Sequence, residues 1–344
     1  MTDKHGGNIY KYRDYLDFSA NINPLGTPES VRNAVIESAD LCDIYPDPYC
    51  TELVGKISDC EKIKPSRIVC GNGADDLIYR IVSALKPDNA VICSPSFTEY
   101  GKALRENNCR IMEYILSEKN SFDIASDFAD YLNHNTDIVF LCSPNNPTGK
   151  AVNTDLLGNI AEKCLENDIV LVCDECFMDF VCDGKNKSSR NFLNRKMIIL
   201  KAFTKIYAMA GLRLGYAVFG SDELAGKVRS NGQYWSVSVP AQRGGIAALD
   251  EKDYLLTTVE FVRKEREFLT TELSDMGLKV FESEANFIFF GSSLPLDTLL
   301  EKEKILIRNC NNYSGLENGF FRVAVRTHEE NIILVSALRR ILNG

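Results

Sequence analysis

Histidine is scarce in this 344-residue chain: His5, His134 and His328 are its only three. Spread this widely, they argue against a histidine-built metal centre. No apolar run approaches the roughly 18 residues that a membrane-spanning helix needs. Basic residues are in deficit, 39 Lys and Arg against 48 Asp and Glu, for a net charge of −9. That balance makes nucleic acid or an anionic membrane a poor choice of main partner. The opening stretch, MTDKHGGNIYKYRDYL, lacks the hydrophobic core of a signal peptide, so a cytoplasmic protein is expected. Internal repeats, low-complexity tracts and long linkers are missing as well.

Cysteine is the exception, with 12 residues scattered mostly through apolar runs, among them Cys70, Cys93, Cys109, Cys142 and Cys173. In that context they read as reduced thiols filling small core volumes. The one CxxC, Cys173-Asp174-Glu175-Cys176, has no second pair for zinc. It also closes an apolar strand, whereas a redox CxxC opens a helix.

Short apolar strands alternate with helical segments over the first two thirds of the chain. The strands are expected at 67–71, 90–94, 110–115, 137–143, 168–175 and 197–203. Their near-continuous Val/Ile/Leu runs fit strands covered on both faces, hence a mostly parallel sheet. Helices are expected at 74–86, 97–107, 154–167 and 240–272. After about residue 275 the pattern turns to shorter strands at 286–290, 305–310 and 320–326, with a last helix at 328–342. The division that follows is an N-terminal arm (1–40), a large domain (41–240) and a small α+β domain (241–344). Doubly wound sheets bind ligands at the carboxyl ends of their strands, and the unusual residues lie at those ends.

CGNGADD follows a strand and opens a helix, so that bare backbone N–H groups and the helix N-terminus can meet a phosphate. CSPSFTEY places Phe97 just past a strand, where an aromatic can stack on a flat ring or serve as core. SPNNPTG ends another strand and carries Asn146, a side-chain donor. DIVLVCDE puts Asp174 at the close of an apolar run, a costly place for a carboxylate without a cationic partner. KAFTKIYAMAGLRLGYAVFG holds Lys205 just past a strand and Arg213 eight residues on. A lysine in an apolar site can lose its proton and attack an aldehyde, and an arginine can grip a phosphate with two N–H groups.

In order and spacing, GNGA, PSF, SPNNPTG, CDE and TKxxxxxGLRLG resemble the fold-type I pyridoxal-5′-phosphate (PLP) enzymes of the aspartate aminotransferase superfamily, over nearly the whole chain. The resemblance implies an α/β fold with a mostly parallel seven-stranded sheet in the large domain. It implies PLP as cofactor, anchored through Lys205. Asp174 would keep the pyridine nitrogen protonated, making the ring an electron sink. Asn146 would donate to the ring oxygen O3′, and Phe97 would stack on the ring. The backbone amides of Ala74 and Asp75, with Thr204 and Arg213, would hold the cofactor phosphate. Tyr45, in IYPDPY, would reach the phosphate in a neighbouring subunit, which implies a homodimer with shared sites. Arg322, in FFRVAVR, would bind a substrate carboxylate.

Two positions depart from the pattern. Many relatives have serine three residues before the lysine, where this chain has Ala202, and tyrosine three residues after the aspartate, where it has Phe177. A phosphate hydroxyl and a phenol for O3′ are therefore absent from those places. HGGNIY, LDFSANINPLG, IYPDPY, YWSVSV and IRNCNNYSGL resemble the threonine-phosphate decarboxylase branch of cobalamin biosynthesis more than the histidinol-phosphate aminotransferase branch. That branch implies a phosphorylated amino-acid substrate, O-phospho-L-threonine, with His5 and Arg308 on its phosphate and Asn286 nearby. Phosphoserine would differ by one methyl, about 1–3 kcal/mol of discrimination. Transamination of a phosphate-bearing donor is the alternative activity. A non-catalytic scaffold would have no need of Asn146, Asp174, Lys205 and Arg213 together.

Overall fold

The structure, a computed structural model, describes residues 6–343. A seven-stranded sheet forms its centre, with strands in the spatial order Ile68–Gly71, Gly215–Phe219, Met197–Ala202, Val170–Asp174, Ile138–Cys142, Asn89–Ser94 and Arg110–Ile115. All neighbours pair in parallel except Gly215–Phe219, which runs antiparallel to the strands on both sides. The sheet is thus mostly parallel. Its seventh strand lies inside the GYAVFG stretch.

The apolar runs have the expected cause. Successive strand residues point to opposite faces. Along Ile138–Cys142, Ile138, Phe140 and Cys142 enter one core cluster, while Val139 and Leu141 enter another. Both faces are covered, so both sets of residues are apolar. Helix Ala74–Leu85 packs on one face and buries Leu77, Ile78, Ile81 and Val82, a stripe with helical spacing. Full burial of each such side chain contributes roughly 1.5–3 kcal/mol.

A second sheet of four antiparallel strands has the order Arg308–Asn309, Phe320–Ala324, Phe287–Gly291, Lys279–Phe281. The expected strand 305–310 is split. Ile305–Leu306 pairs in parallel with Leu16–Asp17, and only Arg308–Asn309 joins the four-stranded sheet. The N-terminal segment is tied further by Phe18, whose carbonyl accepts from the Ala324 N–H at 2.8 Å. The helix expected over 240–272 is two helices, Val239–Ala248 and Lys252–Asp275. They meet at Leu249–Glu251, where turn hydrogen bonds replace the helical ladder. Hydrophobic periodicity carries across this break because both helices face the same core cluster. Among the described residues, no helix is long and apolar enough to cross a membrane.

Candidate active site

Four adjacent parallel strands end side by side, and each delivers one group. Asn89–Ser94 leads to Phe97, Ile138–Cys142 to Asn146, Val170–Asp174 ends on Asp174, and Met197–Ala202 leads to Lys205. The antiparallel Gly215–Phe219 begins at this same edge, since Gly215 lies opposite both Ala202 and Gly71. Arg213 and the start of helix Ala74–Leu85 therefore arrive there too. Lys205, Asp174, Asn146, Phe97, Ala74, Asp75, Thr204 and Arg213 all line one cleft of about 170 Å³. Arg308 and Arg322, from the four-stranded sheet, close its other side.

Asp174 is buried and its carboxylate is fixed at both oxygens. Tyr100 donates its hydroxyl to Oδ2 at 2.6 Å, and the Cys176 N–H donates to Oδ1 at 2.9 Å. Burial and the neighbouring Asp174 charge push the Tyr100 phenol well above its ordinary range, so it remains a donor. The next residue, Glu175, belongs to the opposite face, where it accepts from the Ser188 and Ser189 hydroxyls and the Ser189 N–H. Burial lowers the proton affinity of Lys205, with Arg322 and Arg213 acting in the same direction and Cys176 and Asp75 opposing. A lowered proton affinity favours the neutral amine that attacks an aldehyde.

The phosphate end depends on two glycines. Gly73 has φ +87°, and a Cβ there would stand 2.6 Å from Arg213 Nη2. A Cβ on Gly215 would stand 2.7 Å from the Ala74 nitrogen. Both bring backbone N–H groups and a guanidinium together around one point at a helix N-terminus. Arg213 also lies 3.8 Å from Asp75 Oδ2. Burial raises the Asp75 pKa, with Arg213 opposing.

Arg308 and Arg322 are both buried and occupy directly opposed positions on antiparallel strands. Arg308 donates to the Asn309 carbonyl at 2.6 Å and to Asn312 Oδ1 at 2.7 Å. Its guanidinium lies over the Tyr313 ring. Arg322 donates to the Ser19 carbonyl at 2.8 Å and to Asn146 Oδ1, and its Nε has no partner among the described residues. Two like charges set side by side away from water call for anions.

Two of the remaining expected site residues, Asn286 and Tyr45, are not among those lining this cleft. Asn286 is fully buried but does not line the cleft, and neither polar atom of its side chain has a partner among the described residues. Tyr45 is 75% exposed and meets Trp235 at a tilt, 4.6 Å between ring centroids, outside this subunit's cleft. His5 lies outside the described residues, although its neighbour Gly6 reaches the cleft wall. Ala202 and Phe177 both line the cleft, so the two departures fall at the site itself. Phe177 sets its ring edge-on to Phe287. Sequence reasoning missed Tyr100 and Tyr313. Tyr100 follows Phe97 by three residues at a helix start, a spacing that turns both to the same side, and this was the available signal.

A lysine, an aspartate, a ring-stacking aromatic and an anion cradle in a strand-end cleft define a PLP-dependent enzyme. The donor set fits that cofactor: Ala74, Asp75, Thr204 and Arg213 would hold its phosphate, Asp174 its ring nitrogen and Lys205 its aldehyde carbon. The chain belongs to the class I and II aminotransferase family, whose model matches residues 13–338. Threonine-phosphate decarboxylase of Salmonella typhimurium is 35% identical over 356 residues, covering 100% of this chain and 98% of that protein. Histidinol-phosphate aminotransferase of Caldicellulosiruptor saccharolyticus is 30% identical over 337 residues, covering 95% of this chain and 92% of that protein. The crystal structure of the histidinol-phosphate aminotransferase from Clostridium acetobutylicum superposes with a TM-score of 0.89 at 29% identity, covering 95% of this chain and 99% of that one.

Proposed function

We propose that this enzyme decarboxylates O-phospho-L-threonine to (R)-1-aminopropan-2-yl phosphate, a step of cobalamin side-chain synthesis. The observation that carries the reading is the opposed pair of buried arginines, Arg308 and Arg322. Phosphothreonine presents a phosphate and a carboxylate on one short skeleton, one anion for each guanidinium. Histidinol phosphate has the phosphate and no carboxylate, so while bound it would engage only one of the two guanidinium groups. The strong similarity to a threonine-phosphate decarboxylase over the full chain favours the same choice.

When bound, the cofactor would supply an electron sink for the bond that breaks at Cα. Residues of this chain decide which bond that is. Arg322 holds the carboxylate and Arg308 the phosphate, so the substrate is gripped at two ends and cannot rotate about Cα. With the carboxylate so held, its bond to Cα would break, CO₂ would leave, and the bonding pair would stay with Cα, stabilised by the cofactor's electron withdrawal. Lys205 Nζ would then return a proton to that carbon. Asp174 would keep the withdrawing nitrogen charged. A different hold on the same carboxylate would favour loss of the Cα proton and transamination.

Tyr45, exposed in one subunit, is assigned to the phosphate end of a partner's cleft in a homodimer. Incubation with phosphothreonine tests the function. CO₂ should be released without 2-oxoglutarate, and histidinol phosphate with 2-oxoglutarate should react slowly. Keto-acid formation with no CO₂ would overturn the decarboxylase reading in favour of an aminotransferase.

A further inference from the structure

Phe177 leaves the cofactor ring without a phenol at the third residue after Asp174. We infer that Tyr313 supplies the missing constraint from the other side of the cleft: its hydroxyl fixes the Asn146 amide so that Nδ2 faces the cofactor's ring oxygen. Tyr313 is buried, lines the cleft, and is anchored by its N–H on the Cys310 carbonyl at 3.0 Å. The Arg308 guanidinium lies 5.3 Å from its ring centroid. Its hydroxyl donates to Asn146 Oδ1 at 3.4 Å, and Arg322 Nη1 converges on the same atom.

An asparagine amide has one accepting oxygen and one donating nitrogen. Two donors aimed at one atom identify it as the oxygen and set the orientation of the whole group. Nδ2 must then point the other way, and it has no hydrogen-bond partner among the described residues. It is a donor held ready for an acceptor in the cleft. Arg322 cannot maintain this arrangement alone. Its guanidinium is shared with the Ser19 carbonyl and is assigned to the substrate carboxylate. Tyr313 has its hydroxyl on Asn146 Oδ1 in the resting enzyme as well as after substrate has drawn on Arg322, so its loss is felt in both states. Its phenol is raised above the ordinary value by burial, with Arg322 opposing, so it keeps its proton near neutrality. Tyr313 is thus a positioning residue that acts through Asn146, and its ring is also a platform for Arg308.

The test uses the holoenzyme with excess cofactor and reads the visible absorbance, which titrates with the proton on the cofactor–Lys205 linkage. A hydrogen bond donated to the ring oxygen weakens that oxygen's hold on the proton, so losing the bond raises the midpoint. Tyr313→Phe should raise it by roughly 0.4–1 pH unit. Tyr313→Leu should give the same spectral shift and a larger rise in KM for phosphothreonine, because Arg308 also loses its ring. In an Asn146→Ala background, Tyr313→Phe should add no shift. An unchanged midpoint in Tyr313→Phe would overturn the inference, as would an undiminished shift in the Asn146→Ala background. The inference rests on the cofactor assignment and not on the reaction. A chain that proved to transaminate would leave the spectral result standing.

Discussion

Removing one oxygen atom from Tyr100 should cost the enzyme between one and two orders of magnitude in kcat/KM. The hydroxyl donates to Asp174 Oδ2 at 2.6 Å, with both residues buried. A hydrogen bond to a charged group is worth about 1.5–3 kcal/mol, and its loss is felt in full when the partner is left buried. Asp174 does most for catalysis when charge develops on the cofactor, so most of that energy belongs to the transition state. The range converts to about 10–150-fold in rate. Tyr100→Phe is a clean perturbation because the ring is held independently of the hydroxyl. It stacks on Phe140 at 5.1 Å and meets Phe97 edge-on at 5.6 Å. Steady-state decarboxylation and the spectrum of the cofactor-saturated protein should be recorded together, with Asp174→Ala as the more damaging reference. If Tyr100→Phe keeps both wild-type kcat/KM and a wild-type spectrum, the Cys176 N–H alone suffices to orient Asp174, and the reasoning fails.

Lys205→Ala should lose the yellow colour and the borohydride-trapped adduct, and trapping at a different lysine would move the reactive amine elsewhere. Apoenzyme stability should depend on Lys205 and pH with a defined sign. Its folded-state pKa lies below the ordinary 10.5, mainly through burial. The unfolded chain therefore binds more protons, and stability rises as pH climbs from the folded pKa toward 10.5. Urea denaturation in that window should show the gain in wild-type apoenzyme and a smaller one in Lys205→Met; equal slopes would refute it. Mixing inactive Tyr45→Glu and Lys205→Ala proteins should restore up to roughly a quarter of wild-type activity, since about half the dimers are mixed and each has one intact site of two. No recovery despite demonstrated subunit exchange would confine Tyr45 to its own subunit.

The strand-end chemistry was legible because a parallel sheet forces it into the sequence. Each strand buries both faces and so reads as an apolar run. Polar residues at the end of the run, such as Asp174 and Asn146, then stand out. Lys205 and Arg213 were readable for the same reason. Tyr100 was not, because a buried aromatic on a helix looks the same whether or not its hydroxyl meets a carboxylate. Tyr313 sits in an irregular segment, where neither period locates a side chain. The split of 305–310 between two sheets was equally hidden, since Leu16–Asp17, which takes one half, lies almost a chain length away. The resemblance put Asn286 near the cofactor and substrate; its side chain is fully buried, and both its polar atoms are without a partner among the described residues.

The pairing of Leu16–Asp17 with Ile305–Leu306, together with the bond from Ala324 to Phe18, sets an order of events during synthesis. Leu16–Asp17 has no strand partner until Ile305–Leu306 emerges. At about 5–20 residues per second, the roughly 300 intervening residues take about 15–60 s to make. Ser19 and Asn21, which line the cleft, can settle only after Arg322 has been made. Lys205 and the phosphate loop at Gly73 are complete well before that. A nascent chain therefore carries its reactive amine for some time before it has the walls that decide which substrates reach it.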